Sequence, residues 1–232
     1  MKISGSVALV TGANRGLGAT FAQALLDRGA RTVYAAARNP ATVTGAGLTP
    51  IELDITDPAA VAAAAERCAD VDLLINNAGI ARPGPADLDS AHAEMETNYF
   101  GTLSMSRAFA PVLARNGGGA LVNVLSALSF FSVPQVSTYA ASKAAAWSLT
   151  NALRVELKEQ GTHVVGVHAG YIDTDMAAGV TDPKISPAEV VAQTLDALEA
   201  GTYEVLADTL SKEIRAGLSG DLELLYPALA TR

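Results

Sequence analysis

Short, continuously apolar runs rich in β-branched residues alternate along this chain with longer stretches of helical character. Such unbroken apolar runs suit a parallel sheet covered on both faces. Strands are expected at residues 7–10, 32–36, 50–53, 72–75, 120–125, 164–168 and 203–206. Helices are expected at 17–28, 58–69, 91–115, 138–160 and 187–200. Pro58 and Pro187 suit first-turn positions, and Gly29, Gly161 and Gly201 are natural stops. Seven strands separated by helices give an α/β, doubly wound, seven-stranded parallel sheet with helices on both faces. No repeat, low-complexity tract or linker divides the sequence, so residues 1–232 are expected to form one domain.

Composition narrows the possible partners. Half of the 232 residues are apolar, 17% are charged and the formal net charge is −8. A nucleic-acid backbone or an anionic membrane surface is a poor partner for such a chain, so any phosphate site must be built locally. The start lacks a signal-peptide pattern, and no apolar run reaches membrane-spanning length, which makes a cytoplasmic location the expectation. Cys68, the one cysteine, lies in an alanine-rich helical pattern and reads as a small core residue. His92 and His163 have no neighbours at metal-ligand spacing, so no metal site is expected.

The first strand runs into Thr11-Gly12-Ala13-Asn14-Arg15-Gly16-Leu17-Gly18, and a helix follows. Glycines there permit a sharp turn and close approach of backbone to a pyrophosphate, which the amides and dipole of the helix start would hold. Gly12, Asn14, Arg15, Gly16, Leu17 and Gly18 are therefore candidate dinucleotide contacts in a Rossmann fold. The spacing is G-x-x-x-G-x-G, not G-x-G-x-x-G, and a purely structural turn is the alternative. At the close of the second strand, Ala37-Arg38 offers no carboxylate for a ribose hydroxyl. Arg38 and Arg15 instead supply two guanidiniums suited to a 2′-phosphate, favouring NADP(H) over NAD(H); the alternative is that both are simply solvated.

Tyr139 and Lys143 stand four apart on an expected helix, one turn above each other on one face. A nearby cation favours phenolate and should lower the tyrosine pKa from its usual value of about 10. Ser126, thirteen residues before the tyrosine and just past a strand, is placed to hold a carbonyl oxygen beside it. A Y-x-x-x-K pair alone also arises by chance.

Taken together, Thr11-Gly12-x-x-x-Gly16-x-Gly18, Asp54, Asn76-Asn77-Ala78-Gly79, Asn98, Ser126 and Tyr139-x-x-x-Lys143 resemble, in order and over nearly the whole chain, the classical short-chain dehydrogenases/reductases. The resemblance implies Tyr139 as general acid/base, Ser126 as orienter of the substrate oxygen, and Lys143 as both modulator of the tyrosine and holder of the nicotinamide ribose. It implies a water relay positioned by Asn98, adenine contacts from Asp54 and Ile55, and a cofactor wall from Asn76, Ala78 and Gly79. Asp54 and Asn76 can equally be read as caps. After the sixth strand the family's usual Pro-Gly is His168-Ala169-Gly170 here. Ile172 and Thr174 are still expected at the nicotinamide end, in a loop loosened by the missing proline. His168 reads as packed, not reactive.

The implied activity is an NADPH-dependent carbonyl reductase or alcohol dehydrogenase, with a homodimer or homotetramer built on the helices at 91–115 and 138–160. Met95, Phe109, Ala144, Trp147 and Leu149 would serve that interface, or equally the chain's own sheet. A 3-oxoacyl-thioester reductase is a rival, although a carrier-protein substrate calls for a basic docking surface; a non-catalytic dinucleotide sensor is another. Only sixteen residues, 170–185, are available for a substrate lid. Phe130, Phe131, Tyr171 and Met176, with Ser126 and Tyr139, would line an apolar small-molecule pocket, unless the two phenylalanines merely pack their loop against the core.

Overall fold

The apolar runs become seven strands in the computed structural model, which describes residues 1–82, 84 and 86–229. They are β1 (Val7–Thr11), β2 (Thr32–Ala37), β3 (Thr49–Glu52), β4 (Leu73–Asn76), β5 (Ala120–Val124), β6 (His163–His168) and β7 (Glu204–Leu206). All pairings are parallel, in the order β3-β2-β1-β4-β5-β6-β7. The order reverses between β1 and β4, which opens a crevice at the carboxyl ends of the strands.

The covering helices are α1 (Gly16–Asp27), α2 (Pro58–Arg67), α3 (Leu88–Met95), α4 (Thr102–Arg115), α5 (Ser137–Glu156), α6 (Pro187–Ala200), α7 (Thr209–Gly217) and α8 (Leu222–Leu225). Both prolines open their helices: Asp57 caps α2, and Ser186 with Glu189 forms a capping box on α6. Gly201 ends α6 at φ 75°, where a side chain would be strained. One face of the sheet packs Phe21, Leu25, Val190 and Leu195. The other packs Met105, Phe109, Leu113, Leu149 and Leu153. Phe109 and Leu149 are therefore spent within the chain, and Trp147 packs edge-on against Phe130 at 4.8 Å; none of these three is an outward-facing apolar residue. Cys68 is buried, and its thiol is pushed up to about 11 by that burial.

Two departures from expectation concern the site. The helix expected at 91–115 is interrupted by a π-helical turn, Glu96–Gly101, between α3 and α4. Such turns widen a helix by one residue and cluster at functional positions. The second departure is α7 and α8, which follow β7, with α7 packed against the turn that follows β5. Among the described residues no helix is long and apolar enough to cross a membrane. Nor do the described residues place three or more His, Cys, Asp or Glu side chains to hold a metal ion.

Candidate active site

The glycine turn between β1 and α1 is braced from β4. Thr11 Oγ1 accepts from the Asn77 and Ala78 amides at 2.9 and 3.0 Å, while Asn77 Nδ2 donates to Thr11 O at 2.9 Å and Gly12 O at 3.3 Å. The packing leaves no room for side chains: a Cβ on Gly18 would sit 2.1 Å from Gly12 O. Gly16 has φ +53°, which favours glycine. At the start of α1, Arg15 makes no side-chain cap, so the first-turn amides are left for an anion. That free amide cluster fits a dinucleotide pyrophosphate. Leu17 is buried in the core and offers the site only its backbone.

Arg15 and Arg38 are both exposed at this end of the crevice. Arg15 pairs with Asp175 at 3.6 Å, with both side chains largely in solvent, so the contact is weak and readily given up. Arg38 lines a recess with Asp54, Asp57, Ala60 and Arg67, which adds a third guanidinium that the sequence reading did not include. Asp54 is held below its ordinary pKa by two hydrogen bonds from Thr56, at 2.7 Å (Oγ1) and 3.0 Å (amide), and also feels Arg38. The Asp54 carboxylate is thus a turn cap as well as part of the recess wall. The Ile55 side chain is buried against the π turn, where a Cβ on Gly101 would be 2.7 Å from Ile55 Cδ1; only its backbone is left to face a cofactor.

Ser126 lies just past β5, and α5 begins against its turn, bringing Ser126, Tyr139 and Lys143 together at the strand ends. Ser126 Oγ accepts from the Leu128 amide at 3.1 Å, which leaves its own proton free to donate. Lys143 is buried and donates from Nζ to Val124 O at 2.9 Å. With one ammonium proton so used, two remain for the crevice. Burial pushes Lys143 down to about 8. Tyr139 is pushed up to about 12 by burial, with the Ser126 hydroxyl opposing and the Glu94 carboxylate adding to the rise. The expected lowering of the phenol by Lys143 is therefore not found within this chain. Burial sets the phenol's value, and the Lys143 Nζ is 5.8 Å from the ring centroid and directed at a carbonyl.

Asn98 sits in the π turn, fully buried. Its Oδ1 accepts from the Ile80 amide at 2.9 Å, and its Nδ2 donates to Ile80 O and to Ser142 Oγ, each at 2.9 Å. Its side chain thus clamps the segment after β4 to α5, and Ser142 Oγ donates onward to Tyr139 O at 2.7 Å. The Asn98 side-chain amide is thus taken up within the chain. Asn76 likewise turns inward: Nδ2 donates to Asn123 Oδ1 at 2.9 Å and Ser106 Oγ at 3.2 Å, and Asn123 Nδ2 donates to Thr150 Oγ1 at 2.9 Å. This buried ladder ties β4, β5 and α5 together and turns the Asn76 side chain to the core. At Gly79 a Cβ would meet Asn98 Oδ1 at 3.0 Å and Lys143 Nζ at 3.5 Å.

The "short chain dehydrogenase" family model matches residues 6–184. This chain belongs to the short-chain dehydrogenases. It is 47% identical over the full length of both chains, at TM-score 0.94, to a short chain dehydrogenase from Burkholderia cenocepacia J2315 solved in complex with NADP. The NADPH-bound carbonyl reductase from chicken fatty liver is 30% identical, covering 84% of this chain and 91% of that one at TM-score 0.75. A 3-oxoacyl-(acyl-carrier-protein) reductase of Salmonella typhimurium is 30% identical over 217 residues, 88% of each.

The loop in which this short-chain dehydrogenase lacks the usual proline is fastened by other means. Ala169 is buried, and its carbonyl accepts from the Ala127 amide at 2.8 Å. The Gly170 amide donates to Asp208 Oδ2 at 2.6 Å, while Asp208 Oδ1 caps α7 through the Ser211 amide at 2.8 Å. The expected loosening is thus replaced by a carboxylate that serves loop and helix together. Ile172 bridges to Ile185, closing the lid on itself, and the Thr174 methyl lies 3.4 Å from where a Gly16 Cβ would stand. Phe130 turns inward, stacked on His168 at 4.2 Å and edge-on to Trp147, so the packing alternative holds for this ring. Phe131 is partly exposed, Tyr171 is 39% exposed and Met176 61%. Tyr226 on the C-terminal segment accepts from the Ser132 amide at 3.1 Å and closes over the Phe131 loop. An Asp-x-x-Ser capping signal at 208–211 marks α7, the helix that precedes this C-terminal segment.

Proposed function

We propose that the chain is an NADPH-dependent reductase of ketones and aldehydes, running in reverse as an alcohol dehydrogenase. The observation that carries the reading is the meeting of Ser126, Tyr139 and Lys143 across the switch-point crevice from the uncapped start of α1. The NADP-bound relative from Burkholderia cenocepacia and the NADPH-bound carbonyl reductase support the choice of cofactor. Gly12, Asn14, Gly16 and Gly18 with the α1 amides would hold the pyrophosphate, Arg15 and Arg38 the 2′-phosphate, and Lys143 the nicotinamide ribose. When bound, the cofactor supplies the hydride. Ser126 donates its free hydroxyl proton to the substrate carbonyl oxygen and fixes it beside Tyr139. Tyr139 delivers its proton to that oxygen as charge develops there, and in the reverse direction takes it back. A phenol pushed up to about 12 within the chain holds its proton, which suits the reductive direction.

The chain also resembles a carrier-protein reductase, but its net charge of −8 disfavours docking of an acidic carrier. We assign a homodimer or homotetramer to it, supported by Phe100 and Val155, which are 48% and 77% exposed on the π turn and α5. A ketone panel followed by NADPH absorbance, set beside an acetoacetyl-thioester, tests the function. Turnover of the thioester alone would replace the carbonyl-reductase reading.

A further inference from the structure

Behind the Ser126 turn lies a buried histidine that the reading above does not use. His168 ends β6 with no exposure to solvent, at the centre of a chain of polar contacts running out to α7. Its Nδ1 lies 3.1 Å from Ser126 O and 2.9 Å from Ser129 Oγ. The Ser129 hydroxyl donates to Ser126 O, and the Ser129 amide reaches the same carbonyl at 3.0 Å. A carbonyl oxygen only accepts, and the one Ser129 hydroxyl proton is already spent, so Nδ1 must carry the proton in both contacts. On the other edge of the ring, Nε2 lies 3.6 Å from Glu204 Oε1, an ion-pair distance too long for a hydrogen bond.

Glu204 is in turn fixed by Arg215 of α7, whose Nε is 3.1 Å from Oε2. Its carboxyl is held down to about 2, chiefly by His168 with Arg215 adding to it. Arg215 also lies 5.8 Å from the centroid of the Phe130 ring, which stacks on His168 at 4.2 Å. Phe130 and Glu204 therefore flank one ring, each backed by Arg215. The turn's ends are pinned independently, through the Leu125 amide to Val167 O and the Ala127 amide to Ala169 O, each at 2.8 Å. What His168 adds is control of the peptide that follows Ser126, and with it the direction of the Ser126 side chain.

We infer that His168 is a positioning residue for the substrate-orienting serine: its Nδ1–H fixes the Ser126 carbonyl and Ser129, and Glu204, anchored by Arg215, holds the ring in place. This rests on the proposed role of Ser126. A misplacement of an orienting group by a fraction of an ångström is felt in turnover far more than in binding of the cofactor.

Asparagine and glutamine separate the two edges of the ring. His168→Asn places an amide nitrogen near Nδ1 and keeps the donor to the turn, whereas His168→Gln reaches towards Nε2 and loses it. Expected are a fall in kcat of about tenfold for His168→Gln at unchanged KM for NADPH, and recovery of most of that loss in His168→Asn. Glu204→Gln, at a partly exposed site that does not endanger folding, should lower kcat several-fold with the same unchanged KM. Equal losses in both histidine variants that follow their Tm values, or wild-type kcat in His168→Gln or Glu204→Gln, would overturn the inference. Ser126→Ala is the control for the reading beneath it. Wild-type kcat in Ser126→Ala removes the serine's role itself, while a severe loss there with a neutral His168→Gln removes only the histidine's.

Discussion

Lys143 Nζ donates to the Val124 carbonyl at 2.9 Å, from inside the protein and one helical turn beyond Tyr139. That bond fixes the ammonium at the carboxyl end of β5, at the cost of burying a group whose pKa falls from 10.5 to about 8. Because the folded value lies below the unfolded one, the penalty is present in full below pH 8. It is relieved as pH rises towards 10.5, where the unfolded chain still holds its proton and the folded one does not. Lys143→Met should therefore raise Tm at pH 7, by up to about 3 kcal/mol of stability, and the gain should shrink by pH 10. Thermal melts of both proteins at the two pH values check this; an equal difference at both would remove burial as the cause.

The same titration bears on cofactor affinity. An ammonium that grips a ribose is lost as pH passes about 8, so NADPH should bind more weakly at pH 9 than at pH 7. Fluorescence titration measures the Kd directly, and a Kd that did not change across that range would take Lys143 out of the ribose contact.

Tyr139→Phe should lower kcat by about 10² to 10⁴ while leaving NADPH binding nearly intact. The ring is retained, and the polar ladder through Asn76, Asn123 and Thr150 that fastens α5 to the sheet does not involve the phenol. Near-normal turnover in this variant would displace Tyr139 as the acid.

The fold was legible because parallel strands buried on both faces are written as continuous apolar runs, and proline and glycine mark helix ends by local geometry. Ser126, Tyr139 and Lys143 were legible by spacing. The π turn was not, since Met95-Glu96-Thr97-Asn98 reads as ordinary helix; the extra residue is held by the Asn98 clamp on Ile80, a contact eighteen residues away. Long-range causes also hid the pKa of Tyr139. Helical spacing brought Lys143 near but gave no account of burial or of Val124 competing for the ammonium. Asp208, thirty-eight residues past Gly170, replaces the missing proline in a way no local pattern announces.

Cofactor selectivity should rest on exposed guanidiniums. Charge-assisted hydrogen bonds are worth about 1.5–3 kcal/mol each, so NADPH should be preferred over NADH by tenfold or more in kcat/KM, and Arg15→Ala with Arg38→Leu should abolish most of that. Arg67, lining the same recess, is the residue that would sustain a residual preference. Steady-state kinetics with both cofactors decide it, and equal use of the two by the unaltered protein would refute the arginine argument.

Substrate preference follows from which apolar side chains remain free. Phe130 is committed to His168 and Trp147, but Phe131 is partly exposed in a loop held by Tyr226, and Tyr171 and Met176 stand exposed on the short lid. Such walls gain about 25 cal/mol for each Å² of apolar substrate removed from water. An aryl or extended alkyl group covering roughly 60 Å² of these side chains would gain about 1.5 kcal/mol, or about tenfold in kcat/KM, over a short hydroxyketone. Phe131→Ala should cost most of that ratio, while Phe130→Ala should act through stability, because its ring supports the serine turn from behind. Measuring kcat/KM for both ketones in all three proteins separates the two effects. A ratio unchanged by Phe131→Ala would leave the apolar wall without a role in choosing substrates.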